Sequence, residues 1–211
     1  MKQLSKLLIL PSIIISLTSC QSKNKQDEKN SLYSEPLSYQ DSIFYINEGT
    51  RLAKQMYVEI LTHLNKALDE QGPYEAVKYC NHKALPLTDS LSKHYGIKAK
   101  RTSLKLRNPL NVPDSLEKQV LQMYAQTLSK KPMIIKTNKG VHFFTPIYIA
   151  ELCLTCHGVP NQDIPDVTLI ALNELYPNDQ AKNYELYDIR GIWSILFPLN
   201  YKPINNPTTN P

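Results

Sequence analysis

Glycine is scarce in this chain, 6 residues in 211 against 15 prolines, so the connections are stiff rather than pliant. No apolar run reaches the ~20 residues that a membrane-spanning helix needs. No run of Lys and Arg is dense enough to track a phosphate backbone, and the basic residues behind the formal charge of +5 are scattered, which argues against nucleic acid. Cysteines number 4, with no second C-x-x-C or H-x-x-H pair to complete a zinc cluster. No internal repeat is present. A hydrophobic fraction of 42% and a charged fraction of 20% are ordinary for a globular chain long enough for one well-buried domain.

The N-terminus carries an address. Lys2 and Lys6 precede an apolar stretch from Leu7 to Leu17, the length of a signal-peptide h-region. It ends in Leu17, Thr18, Ser19 and Cys20, which resembles the lipobox of bacterial lipoproteins; the plainer alternative is a secreted chain with a chance cysteine. On the lipobox reading residues 1–19 are removed, Cys20 carries the lipid, and residues 20–37, rich in Lys, Asp, Glu, Ser and Asn, form a flexible tether. Without Lys2 and Lys6 the formal charge falls from +5 to +3. The implied location is the bacterial cell envelope, on the periplasmic or cell-surface side.

From Ser38 the pattern becomes helical. Ile43, Ile46, Leu52, Met56, Ile60, Leu64 and Leu68 recur mostly at three or four residues, predicting one long amphipathic helix. Gly72 and Pro73 break it. A second helix places Ala76, Val77, Cys80, Ala84, Leu87 and Leu91 on one face, with Pro86 as an expected kink and Gly96 as its end; His82 turns toward solvent. Ile97–Leu106 reads as a strand, and Asp114 with Glu117 marks a helix start whose apolar face is Leu116, Val120, Leu121, Tyr124 and Leu128. Met133–Lys136 and Val141–Ile149 form a hairpin around Asn138, Lys139 and Gly140, and Gly191–Leu199 is the last strand. Helices followed by antiparallel strands argue for an α+β domain over residues 38–200. A disordered tail is expected over 201–211.

The chemistry concentrates at Cys153, Leu154, Thr155, Cys156 and His157. This C-x-x-C-H run is the attachment pattern of c-type haem: two thiols on one helical turn reach both vinyl groups, and the next residue projects its imidazole at the iron. Export supports it, because c-haem is attached outside the cytoplasm. Three alternatives are a zinc site, which lacks its second pair, a thioredoxin-like dithiol, which belongs in a βαβ context and has no need of the histidine, and a plain Cys153–Cys156 disulfide. The cofactor implied is one covalent haem c with His157 as proximal ligand. The opposite ligand stays open between Cys80, Met56, Met123, Met133, His63, His82, His94 and His142, or none.

The order of landmarks resembles a family. A helix with a lone cysteine, Cys80, is followed by Arg101-Thr-Ser-Leu-Lys-Leu-Arg-Asn-Pro109 with Asn111, Pro113, Asp114 and Glu117, then by C-x-x-C-H, then by Asp188-Ile-Arg-Gly191. This resembles the PAS-like c-haem domain family of cyanobacteria and many other bacteria, over about residues 40 to 200; Leu116 departs from it where a larger aromatic is expected. The resemblance implies a PAS-like antiparallel sheet flanked by helices and preceded by a long N-terminal helix. It also implies axial ligation by His157 and Cys80, and a role in redox or gas sensing. Arg101, Lys105 and Arg107 are candidate contacts for the haem propionates, since guanidinium and ammonium groups suit carboxylates.

A thiolate ligand favours ferric iron and a low reduction potential, and a six-coordinate iron leaves no open position for an oxidant. The leading expectation is therefore a membrane-anchored, single-haem cytochrome for electron transfer or redox sensing, acting with a redox or signalling protein and not as an enzyme. Its alternatives are a gas sensor binding nitric oxide or carbon monoxide after loss of Cys80, and a peroxidase using His63 or His142 as its acid-base group.

Overall fold

The computed structural model describes residues 36–204. The signal segment, Cys20 and most of the tether lie outside the described residues, as does the end of the C-terminal tail.

The long helix α1 runs over Tyr39–Gln71. It starts where the Ser38 hydroxyl accepts a hydrogen bond from the Asp41 N–H at 3.0 Å, which satisfies one of the orphan donors of the first turn. Gly72 ends it at φ 85°, and Pro73 opens α2 (Pro73–His82) at the position where its missing N–H costs nothing. The expected kink lies at Lys83 and not at Pro86: α3 (Ala84–His94) begins after the break, with Pro86 inside its first turn. His82 is exposed, as its helical position requires.

Four strands form one antiparallel sheet in the order β1-β4-β3-β2: β1 (Lys98–Thr102), β2 (Met133–Thr137), β3 (Gly140–Tyr148) and β4 (Ile189–Phe197). The molecule is α+β, a helix-flanked antiparallel sheet behind a long first helix, as the sequence implied. β1 is shorter than the expected Ile97–Leu106, because the Ser103 hydroxyl accepts from the Lys105 N–H at 3.2 Å and turns the chain out of the ladder. Between β1 and β2, α4 (Ser115–Thr127) opens with a complete capping box between Asp114 and Glu117. Leu128, expected on its apolar face, is instead its left-handed C-cap and is exposed.

Alternation along the strands divides the core in two. Phe143, Trp193, Ile195 and Phe197 pack with Leu52, Met56 and Ile60 of α1, while Phe144 and Ile192 face Val120, Leu121 and Tyr124 of α4. Each such fully buried apolar side chain contributes about 1.5–3 kcal/mol. Gly49 is the tightest point of the first layer: a Cβ there would sit 2.3 Å from the Phe143 ring. Gly49→Ala should destabilise the fold by roughly 1–3 kcal/mol through overpacking, read from a denaturant melt.

Tyr201, which falls in the expected tail, is tied back. Its hydroxyl donates to Glu48 at 2.7 Å, and its ring packs edge-on against Phe197 with centroids 4.7 Å apart. Glu48 also takes both a 2.8 Å and a 2.7 Å hydrogen bond from Arg51, and these donors hold its carboxyl below the usual carboxylate range against the opposing effect of burial. That stabilisation is present above the ordinary glutamate pKa and is lost as pH falls through the lowered one. Tyr201→Phe should cost about 1 kcal/mol at neutral pH, and the difference from the parent melt should shrink in acid as Glu48 protonates.

Candidate functional site

One cavity lies at the end of the sheet where β3 finishes and β4 begins. Its apolar wall comes from the second half of α1, including Ile60, Leu64 and Leu68, and from Ala76 and Val77 of α2. Cys80 of α2 lines it too, on the same face as Ala76 and Val77, and Asn81 pins the helix by donating to the Leu175 carbonyl at 3.0 Å. That carbonyl ends α6 (Asp166–Leu175), a helix whose Ala171 and Leu172 pack on Val77.

β3 leads through Ile149 into the short helix α5 (Glu151–His157), which carries the whole C-x-x-C-H run. Cys153, Cys156 and His157 all line the cavity. The last turn of α5 is held from outside. Arg107 donates to the Cys156 carbonyl, meeting an orphan acceptor of the helix end with a positive charge. Arg107 also donates to the Ala181 carbonyl at 3.1 Å and pairs with Asp179 at 3.0 Å. The Tyr184 N–H donates to the His157 carbonyl at 3.0 Å. Gly158 lets the chain turn against Asp163, where a Cβ would come within 2.5 Å.

His157 is oriented by the same loop. Its Nδ1 lies 2.8 Å from the Ala181 carbonyl, which fixes Nδ1 as the donor and leaves Nε2 with its lone pair. Burial, then the nearby Arg107 and Arg190, hold the imidazole well below its ordinary pKa, so it is neutral. Burial also pushes the Cys80 thiol up, with Arg101 acting in the opposite sense, and pushes up the Cys156 thiol, with Arg107 opposing.

Three guanidinium groups line the cavity: Arg101 from β1, Arg107 from the following loop and Arg190 from β4. Arg107 has its own carboxylate in Asp179. Among the described residues neither Arg101 nor Arg190 has one: Arg101 lies over Trp193 at 5.7 Å from the ring centroid, and Arg190 lies over Tyr184 and donates to the Lys105 carbonyl at 3.2 Å. Burial lowers both guanidinium pKa values, yet arginine stays charged, so this wall is cationic without internal compensation. Lys105 is elsewhere. Its ammonium donates to the Lys182 carbonyl at 3.0 Å and stands over Tyr184. Arg190, which lines the cavity and was not among the sequence candidates, sits in the Asp188–Gly191 segment that the family resemblance had marked.

Of the eight candidates for an opposite ligand, Cys80 alone lines the cavity. Met56 is core, Met123 and Met133 pack against the α4 layer, and His82 and His94 are exposed. His63 stacks on Tyr79, and His142 stacks on Phe144 beside Thr137. These residues fit a haem: a flat apolar body against α1 and α2, two thiols and a lone-pair nitrogen on one turn, a third sulfur on the facing helix, and unpaired cations for two carboxylates.

A family model described as Tll0287-like matches residues 15–198. A solved structure titled as the crystal structure of the cyanobacterial heme-protein Tll0287 is 26% identical, with a TM-score of 0.49, and the match covers 56% of this chain and 73% of that one. No curated protein matches.

Proposed function

The chain belongs to the Tll0287-like family, and from that membership and its cavity we propose that it is a single-haem c-type cytochrome serving electron transfer or redox sensing. The protein after which the family is named is titled a haem protein. The observation that carries the proposal is the pre-set His157, its Nδ1 committed to the Ala181 carbonyl, on the same turn as two thiols that face the same cavity.

In this reading Cys153 and Cys156 would hold the haem through thioethers, while His157 Nε2 and the Cys80 thiolate would ligate the iron. When bound, the haem supplies reversible one-electron storage. The residues shape that property in opposing directions. The Cys80 thiolate favours the ferric state and lowers the potential, whereas the uncompensated Arg101 and Arg190 favour the extra electron and raise it. Arg101 and Arg190, which line the cavity, would also receive the propionates, while Lys105 is engaged by the Lys182 carbonyl. Arg107 is a brace for α5, because its donors are already committed. The apolar side chains of α1 and α2 that line the cavity would pack on the face of the macrocycle.

The envelope location is proposed from the N-terminus: a lipid on Cys20 would tether the domain outside the cytoplasm, where c-haem is attached. Among the described residues no helix is long and apolar enough to cross a membrane. The physiological partner is a redox or signalling protein.

An optical redox titration of the purified protein tests the reading. The expected result is a single one-electron transition at low potential, with no turnover of added peroxide. Absence of a haem spectrum, or steady consumption of peroxide, would overturn it.

A further inference from the structure

The cavity occupies one end of the sheet, and the opposite end carries a surface of a different kind. β4 ends at the buried Phe197; Leu199, Tyr201 and Ile204 follow it, and the first turns of α1 pack beside Phe197 and Tyr201. Tyr45 meets Phe197 with centroids 5.3 Å apart, and Phe44 meets Tyr201 at 6.5 Å. Tyr39 is 79% exposed and Leu199 64%, and Ile43, Phe44 and Ile204 are exposed as well. Scattered apolar residues on a surface need no explanation, but Phe44 beside Tyr201 brings the exposed start of α1 and the exposed end of the chain to one pole.

Lysines ring the patch. Gly140 approaches the Phe197 carbonyl so closely that a Cβ would lie 2.0 Å from it, which brings the neighbouring Lys139 of the hairpin turn to this pole. Lys98 pairs with Leu196 across the sheet, and Lys202 follows Tyr201. All three are exposed. Asp41 is the acid of the first α1 turn, and Glu48 is already engaged by Arg51 and Tyr201. The described chain also begins here, with Pro36 just before Ser38, the cap of α1.

We propose that this pole rests on a membrane, its exposed apolar and aromatic side chains dipping into the interfacial region while Lys98, Lys139 and Lys202 meet anionic lipid headgroups. Aromatic and aliphatic side chains within a lysine rim are the chemistry of interfacial membrane binding. The orientation follows. Phe197 lies seven residue steps along β4 from Arg190 at the cavity, about 23 Å at ~3.3 Å per step, so the Arg190 end of the cavity is held off the bilayer and faces a soluble partner. The inference rests on the proposed envelope location but not on lipidation.

The holoprotein, purified from its native envelope, is placed with phosphatidylcholine vesicles with or without phosphatidylglycerol and treated with a water-soluble lysine reagent. With phosphatidylglycerol, Lys98, Lys139 and Lys202 should react several-fold more slowly than Lys66 and Lys78. High salt should remove the difference, and so should the exposed-site variant Leu199→Ser/Lys139→Glu/Lys202→Glu, which should keep the parent haem spectrum. Equal rates in the two vesicle types would overturn the proposal. So would lipid-independent protection that grows with protein concentration, which would assign the patch to a second copy. The mass of the N-terminal peptide separates the two readings: an unlipidated chain that still shows phosphatidylglycerol protection defeats only the anchor, and a lipidated chain with uniform lysines defeats only this pole.

Discussion

Replacing Cys153 and Cys156 together with Ala should leave an exported protein that surrenders all its haem on denaturation. Non-covalent hold would then rest on His157, Cys80 and the cationic wall, all of which depend on the folded cavity lined by Cys80, His157, Arg101 and Arg190. Unfolding disperses those groups, whereas a thioether survives it. Either single variant should retain haem through its remaining bond at reduced yield, because the two thiols sit on one turn of α5 and each would bond its own vinyl group. Mass measurement of the denatured protein reads the outcome directly. A double variant that kept one covalent haem would refute the attachment site.

Arg107→Met should be the most destabilising single change in the site. The Arg107 and Asp179 side chains are 11% and 0% exposed and 3.0 Å apart, so the substitution leaves a fully buried carboxylate without its cation. Breaking a buried pair from one side costs roughly 3–5 kcal/mol. The Cys156 carbonyl loses the Arg107 donor in the same step, and the Ala181 carbonyl is left with His157 Nδ1 alone. For a chain of this size each kcal/mol is worth about 2–4 °C, so the melting temperature should fall by on the order of 10 °C. Arg101→Met offers the contrast, since Arg101 has no such carboxylate: it should change stability less and lower the reduction potential more, with the covalent haem kept. Equal losses from the two variants would contradict the division between brace and anion contact.

How much of this was legible in the sequence depended on how local the signal was. The capping box at Asp114 and Glu117, the hairpin turn at Asn138 and Lys139, and the C-x-x-C-H run are each written within a few residues, and each appears where expected. The long helix was legible because its period persists over many turns. The break at Lys83 was missed because Pro86 looks like the stronger interruption, although a proline in the first helical turn forfeits no hydrogen bond. Helix α6 was missed because Val167 and Ile170 remain exposed while Ala171 and Leu172 are buried, which blurs the period. Lys105 and Arg190 could not be ranked from sequence: one is drawn off by backbone carbonyls of residues 182 and 183, and the other is brought to the cavity by the pairing of β4 between β1 and β3. Both outcomes are set by long-range contacts.

The central claim is that His157 and Cys80 together hold one haem iron, and spectra test it most directly. Absorption and electron paramagnetic resonance of the ferric and ferrous holoprotein should be compared with those of Cys80→Ala, in which the covalent haem persists through Cys153 and Cys156. The account predicts a low-spin thiolate signature in the parent that vanishes in the variant. Unchanged spectra would remove Cys80 from the iron and contradict it.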